Sequence, residues 1–304
     1  MPPREEPAAS PRARSEGEVA AQLAALSTAE IVAAVGARGL SPRARRLVER
    51  LARGPSARLG RSLARFDNLI GEVGIAAAAQ ATLDAFGVRL EVDGAVPSRG
   101  GLLVVTNHPG AYDALALLAA LRRDDVALVA ADRPFLRALP SLSERLVFVD
   151  DTRAFGRLAG LRRAVAWLGR GGALVQFGAG AIEPDACFLP RGAELLGAWS
   201  PGTGVLAAAA AGCGAQVLPL FVSGVHSARA KRLPPVRWAE RRGITTIAPL
   251  LQATLPGFGD VVTKVRIGAP LAWPAPAALD KTRVHYTQLL RAAVARLGIP
   301  GAER

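Results

Sequence analysis

Seven short apolar runs, at residues 88–92, 102–105, 126–130, 146–149, 173–177, 216–222 and 261–267, constrain this chain more than any other feature. Each is four to seven residues long, the length of a strand and too short for a buried helix. Between them lie stretches of helical spacing at 114–122, 134–145 and 157–168, and another follows at 281–297. Short, mostly apolar strands alternating with helices predict an α/β fold. The sheet should be mixed and largely parallel, with helices flanking both faces and a helical segment preceding it.

The longest uncharged stretch, residues 195–228, must be tested as a membrane span. It is broken by Pro201, Pro219 and six glycines, whereas a spanning helix needs about 20 predominantly apolar residues. It reads instead as a buried helix at 205–211 and a buried strand at 216–222.

Ahead of the sheet, residues 1–17 are rich in Pro, Ser, Arg and Glu and read as a disordered tail. Residues 18–35 carry Val19, Leu23, Leu26, Ile31 and Val35 near helical spacing. Residues 38–65 then hold nine arginines against one acid, Glu49, with Leu47, Val48, Leu51 and Leu59 interleaved. A further helix is predicted from about 62 to 86. The reading is therefore a tail (1–17), a helical, basic segment that could dock on a membrane (18–86) and the sheet domain (87–304). The arginine-rich stretch is compatible with a solvated face, a membrane surface or nucleic acid.

The whole chain carries a net charge of +13, and all but three of its 38 basic residues are arginine. Such a surface attracts polyanions. Aromatic residues make up only 5%, few for stacking bases, so the expected partner is an anionic bilayer surface and not nucleic acid. The polar, acid-containing start is unlike a secretory signal. These features predict a peripheral or monotopic protein on the cytoplasmic face of a membrane. Two cysteines, Cys187 and Cys213, provide neither a disulfide framework nor a thiolate cluster for zinc.

Sites in α/β sheets gather at the carboxyl ends of the strands. The run 102–105 leads into Thr106, Asn107, His108, Pro109, Gly110, Ala111, Tyr112 and Asp113, where a helix starts. Pro109 and Gly110 allow a turn that brings the Asp113 carboxylate to the His108 imidazole. Such a pair has the parts of a general base: the carboxylate fixes the tautomer, and the other ring nitrogen takes a proton from a hydroxyl or amine. Taken alone, the same two residues also suit a helix cap and a hydrogen-bonded turn.

The block from Asn107 and His108 to Asp113 resembles the N-H-x4-D motif of the glycerolipid acyltransferase family, which includes lysophosphatidate and glycerol-3-phosphate acyltransferases. The resemblance extends from about residue 87 to 226. Residues 146–153 are similar to the family's second block, Phe177 to Ile182 to its F-P-E-G-T-R third block, and 217–221, around Pro219, to its fourth. It implies acyl transfer from acyl-CoA or acyl-carrier protein to a lipid or lipid-precursor acceptor at a membrane. His108 would be the base and Asp113 its orienting partner, with no metal and no bound cofactor. Backbone N–H groups of the turn and helix start would stabilise the oxyanion. Asn107, Phe177, Gly178, Gly180 and Pro219 then fall among the substrate-binding positions.

Two departures bear on the acceptor. The third-block arginine and glutamate positions are Ile182 and Ala179, and the second-block arginine position falls near Asp151. Arg133, Arg153 and Arg157 remain as candidate phosphate contacts. Glu183 suits either an acceptor amine or sugar hydroxyl, or a neighbouring arginine. The acceptor is therefore a lysolipid, a glycolipid or an aminoacyl lipid precursor. The alternative from another class is a catalytically inert lipid- or polyanion-binding protein of the same fold. His226 either lines the crevice or is structural.

Overall fold

The computed structural model describes residues 15–34, 41–149, 154–242, 247–255, 257–259, 261–271 and 279–299. Helix α1 (Glu16–Ala34) packs along α2 (Pro42–Val73), and α3 (Ile75–Ala85) follows across Gly74. A capping box starts α1. The Ser15 hydroxyl accepts the Glu18 N–H at 3.3 Å, and the Glu18 carboxylate accepts the Ser15 N–H at 2.8 Å. The helix therefore begins two residues inside the predicted tail, whose first 14 residues lie outside those described. The arginine-rich stretch and the helix expected at 62–86 are also revised. Arg, Leu and Ala are strong helix formers, so α2 runs unbroken through both, and the turn comes at Gly74.

Next come β1 (Arg89–Asp93), β2 (Leu102–Thr106), α4 (Asp113–Leu121), β3 (Val126–Ala131), α5 (Pro134–Arg137), α6 (Pro140–Glu144) and β4 (Leu146–Val149). Helix α7 (Ala154–Gly169), β5 (Ala173–Phe177), α8 (Pro201–Gly212), β6 (Gln216–Ser223), α9 (Ala228–Arg232) and α10 (Pro234–Glu240) follow. Last are α11 (Ile247–Thr254), β7 (Val262–Ile267) and α12 (Leu279–Leu297). All seven expected strands form. The helix expected at 134–145 is instead two short ones, because Leu139, held extended ahead of Pro140, interrupts it.

The strands make one sheet in the order β1-β7-β6-β2-β5-β3-β4, parallel throughout except between β6 and β7. Side chains alternate across it. Leu102, Val104, Val126, Val175, Leu218 and Leu220 face α1 to α4, packing with Leu23, Phe66, Ile70, Leu83 and Leu117. Leu103, Val105, Leu174, Val217 and Phe221 face α7, α8 and α12, against Leu168, Leu206, Leu290 and Val294. The N-terminal helices thus share the core of the sheet. A small separate cluster, Ala230, Val236 and Ala248, holds α9 to α11 together.

Strands β2 to β6 end at one edge. Strands β7 and β1 run the opposite way, so their starts lie at that same edge. No helix among the described residues is long and apolar enough to cross a membrane.

Candidate active site

At the end of β2 the Asn107 side chain prolongs the ladder to β6. Its Nδ2 donates to the Val222 carbonyl and its Oδ1 accepts the Val222 N–H, each at 2.8 Å. The chain then turns through Gly110 and Ala111, with φ of 84° and 51°. This left-handed region is one that glycine tolerates and alanine rarely enters. The turn returns Asp113, the first residue of α4, to His108.

Asp113 Oδ2 lies 2.7 Å from His108 Nδ1 and accepts the Gly110 N–H at the same distance. Its Oδ1 accepts the Ala114 N–H. A carboxylate that already accepts from a backbone N–H makes the ring nitrogen a donor as well, which leaves the Nε2 lone pair free. The Asp113 side chain is 3% exposed and that of His108 27%. The base is therefore reachable and its partner is not. The ring stacks on Phe177, at the end of β5, with centroids 4.0 Å apart and planes 28° apart. Burial disfavours the imidazolium, but the hydrogen bond and charge of Asp113 and the charge of Glu183 outweigh it. The net effect is a raised His108 pKa.

Glu183 has a different place from either one expected. Its Oε2 accepts the His108 N–H at 3.1 Å, and its own N–H donates to the His108 carbonyl at 2.7 Å. Oε1 accepts from the Gly197 N–H and the Trp199 indole. Three N–H donors hold the buried carboxylate, which braces the catalytic turn; no arginine is among its partners in the described residues. Three other candidates are likewise engaged within the protein's own packing. Asn107 is buried in the β2–β6 tie, Gly178 packs against the Trp199 ring, and Pro219 lies buried in the middle of β6. Gly180 sits in the turn after β5, its N–H donating to the Phe177 carbonyl.

Ile182, at the position where the resemblance implies arginine, is 62% exposed. It lies over the turn, 3.5 Å from where a Gly110 Cβ would stand. Arg133 is exposed beyond the end of β3, at the same edge as His108 but with β5 between their strands. Arg153 falls outside the described residues. Arg157 lies in α7, and its side chain falls outside the described residues too.

The sequence reading missed two supports. Asp185 accepts the N–H groups of Cys187, Gly224, Val225 and His226, and so fixes the loop after β6. Gln252, on α11, accepts the Ser227 N–H through its side-chain oxygen and donates to the Val225 carbonyl, and its own carbonyl accepts the Tyr112 hydroxyl. Neither residue type carries a sequence signal for partners so distant. His226 is buried beside this loop, with Nδ1 3.6 Å from Asp185 Oδ2, beyond hydrogen-bond range. Burial lowers its pKa, although the charges of Asp185 and Asp113 act the other way. Its ring stands edge-on to Phe188, with centroids 6.4 Å apart. Among the described residues no group of three or more His, Cys, Asp or Glu side chains is placed to hold a metal.

No family model and no curated protein matches the sequence. Among solved structures the fold is similar to the 1-acyl-sn-glycerophosphate (LPA) acyltransferase, PlsC, from Thermotoga maritima. Identity is 14% and the TM-score 0.43, over 93% of this chain and 94% of that chain. So loose a likeness decides neither activity nor substrate, and the functional reading rests on the site itself.

Proposed function

We propose that the protein is an acyltransferase that moves a fatty acyl group from a thioester, acyl-CoA or acyl-carrier protein, to a hydroxyl or amine of a lysolipid or lipid precursor. The observation that carries this reading is the His108–Asp113 pair. A partly exposed imidazole at the carboxyl edge of the sheet has its inner nitrogen held by a buried carboxylate and its outer nitrogen free. The N-H-x4-D resemblance supports it.

In this reading His108 Nε2 takes the proton of the acceptor O–H or N–H as the acceptor attacks the thioester carbonyl. Asp113 stabilises the imidazolium that forms. The tetrahedral intermediate collapses with loss of the thiolate, which recovers the proton from Nε2. An ester or amide and a free thiol leave, and the histidine is neutral again. The His108, Gly110, Asp113 and Ala114 N–H groups are engaged within the protein. For those of Ala111 and Tyr112 the described residues provide no acceptor, so these two are the candidate oxyanion donors. Ile182 beside the turn presents an apolar surface, suited to an acyl chain and unsuited to a phosphate.

Purified protein assayed with acyl-CoA and acyl-carrier protein over a panel of lysolipid, glycolipid and amine acceptors tests the proposal. His108→Ala is expected to lower thioester turnover by about 10²-fold or more. No thioester turnover by the wild type with any acceptor would leave an inert lipid-binding protein, and turnover unchanged in His108→Ala would remove the histidine from the role of base.

A further inference from the structure

A cavity of about 380 Å³ opens between α2, the end of α3 and the segment from α11 to β7. Arg58, Arg61 and Ser62 line it from α2, Phe86 from the end of α3, and Gln252 and Thr254 from α11. The volume lies in the range of ligand pockets. The described lining holds two guanidinium groups and no carboxylate.

Helical spacing explains the charge. Arg58, Arg61 and Ser62 stand at i, i+3 and i+4 and share one face of α2. Two like charges at that spacing repel weakly, and an anion bound between them would relieve the repulsion. Arg58 leans on the Thr254 carbonyl through one nitrogen, at 3.4 Å, which leaves its remaining donors for a ligand.

The topology ties this cavity to the catalytic turn. Phe86 precedes β1 and Gly259, also in the lining, precedes β7. Both strands start at the edge where β2 and β6 end. The ring of Tyr112, which lies between His108 and Asp113 in the chain, packs on Phe86 with centroids 5.3 Å apart. Its hydroxyl donates to the Gln252 carbonyl at 3.2 Å. The buried Tyr112 thus links the catalytic turn to two residues of the cavity lining, Phe86 and Gln252.

We infer that this cavity binds the phosphate group of a substrate whose reacting end lies at His108. Arg58 and Arg61 would supply the charge-assisted donors that Ile182 does not. Which substrate carries the phosphate rests on the acyl-transfer reading: it belongs either to a nucleotide thioester donor or to a glycerophosphate acceptor.

Calorimetric titration of the full-length protein separates these sources. The probes are coenzyme A against pantetheine, and glycerol 3-phosphate against glycerol. An Arg58→Gln/Arg61→Gln double variant is compared with Arg99→Gln/Arg296→Gln, which removes the same charge elsewhere on the surface. At least one phosphate probe should bind the wild type and lose roughly tenfold or more in affinity in the first variant only. Loss of coenzyme A points to the donor, loss of glycerol 3-phosphate to the acceptor, and loss of both to a phosphate site common to the two. The proposal is overturned if neither phosphate compound binds the wild type, if its unphosphorylated partner binds equally well, or if both variants weaken binding alike. His108→Ala should bind the probe as tightly as wild type. The phosphate site and the base therefore fail or survive independently.

Discussion

A histidine base works only while its outer nitrogen is unprotonated, so the pH at which it titrates is part of its function. Asp113 and Glu183 raise the His108 pKa above its ordinary 6.5 despite the ring's burial, and the acid limb of kcat/KM should therefore lie above that pH. In Asp113→Asn the imidazolium loses its carboxylate, the pKa falls and the limb moves to lower pH. The plateau should drop by up to about 10⁴-fold, because the amide no longer enforces the tautomer. A pH–rate profile of both proteins checks this, and a limb that stays in place would detach Asp113 from the base. The same raised pKa stabilises the fold below the unfolded histidine's pKa, and that contribution is lost as pH rises through the folded value. Glu183→Gln tests the brace. An amide turns N–H groups toward donors that the carboxylate accepted, stranding one or more at about 1–3 kcal/mol each. Chemical denaturation should show that loss, with a smaller downward shift of the acid limb. His108 and Asp113 were legible in the sequence because one local turn brings them together. Glu183 meets His108 across 75 residues, and only the pairing of β2 with β5 reveals it.

Among the elements, strands were the most legible: the central ones, β2 and β6, are short apolar runs buried along nearly their whole length, while the outer β1 is largely exposed and was legible only through its spacing. Helix ends were less so. The continuation of α2 through Pro55 runs against the usual behaviour of an interior proline. Helices α9 to α11 bury only a small cluster of their own, too small to leave a periodic pattern in the sequence. The α1–α2 pair carries a sharper requirement. A Cβ at Gly60 would stand 2.5 Å from the Ala20 carbonyl oxygen and 2.9 Å from the Ala24 nitrogen. Backbone cannot yield as a flexible side chain does, so Gly60→Leu must lift α1 from α2. The expected cost is about 1–3 kcal/mol. Limited proteolysis should then cut within residues 16–34 while the sheet stays resistant, whereas unaltered resistance of α1 would show that the two helices can separate slightly without cost.

For the whole molecule, the net charge of +13 matters through where it is placed. All eight arginines of α2 are exposed, and on the same helix Leu47 and Leu51 are 58% and 67% exposed. Exposed leucines one turn apart among arginines form an amphipathic surface suited to an anionic bilayer. On this proposal the helix lies against the headgroups, with each nearby arginine contributing about 1 kcal/mol at low salt. From Leu51 to Arg58 is seven residues, or about 10 Å along the axis. Docking there would bring the mouth of the arginine-lined cavity to the depth of the lipid phosphates, so that an acceptor need not leave the membrane. Co-sedimentation with phosphatidylglycerol-containing vesicles should therefore be strong at low salt and weaken as the Debye length shrinks from about 30 Å at 0.01 M to about 3 Å at 1 M salt. Leu47→Asp/Leu51→Asp should abolish it without lowering the thermal midpoint, because neither side chain is part of the core. Equal binding to neutral and anionic vesicles, indifferent to salt, would show that the arginines of α2 face water for solubility alone.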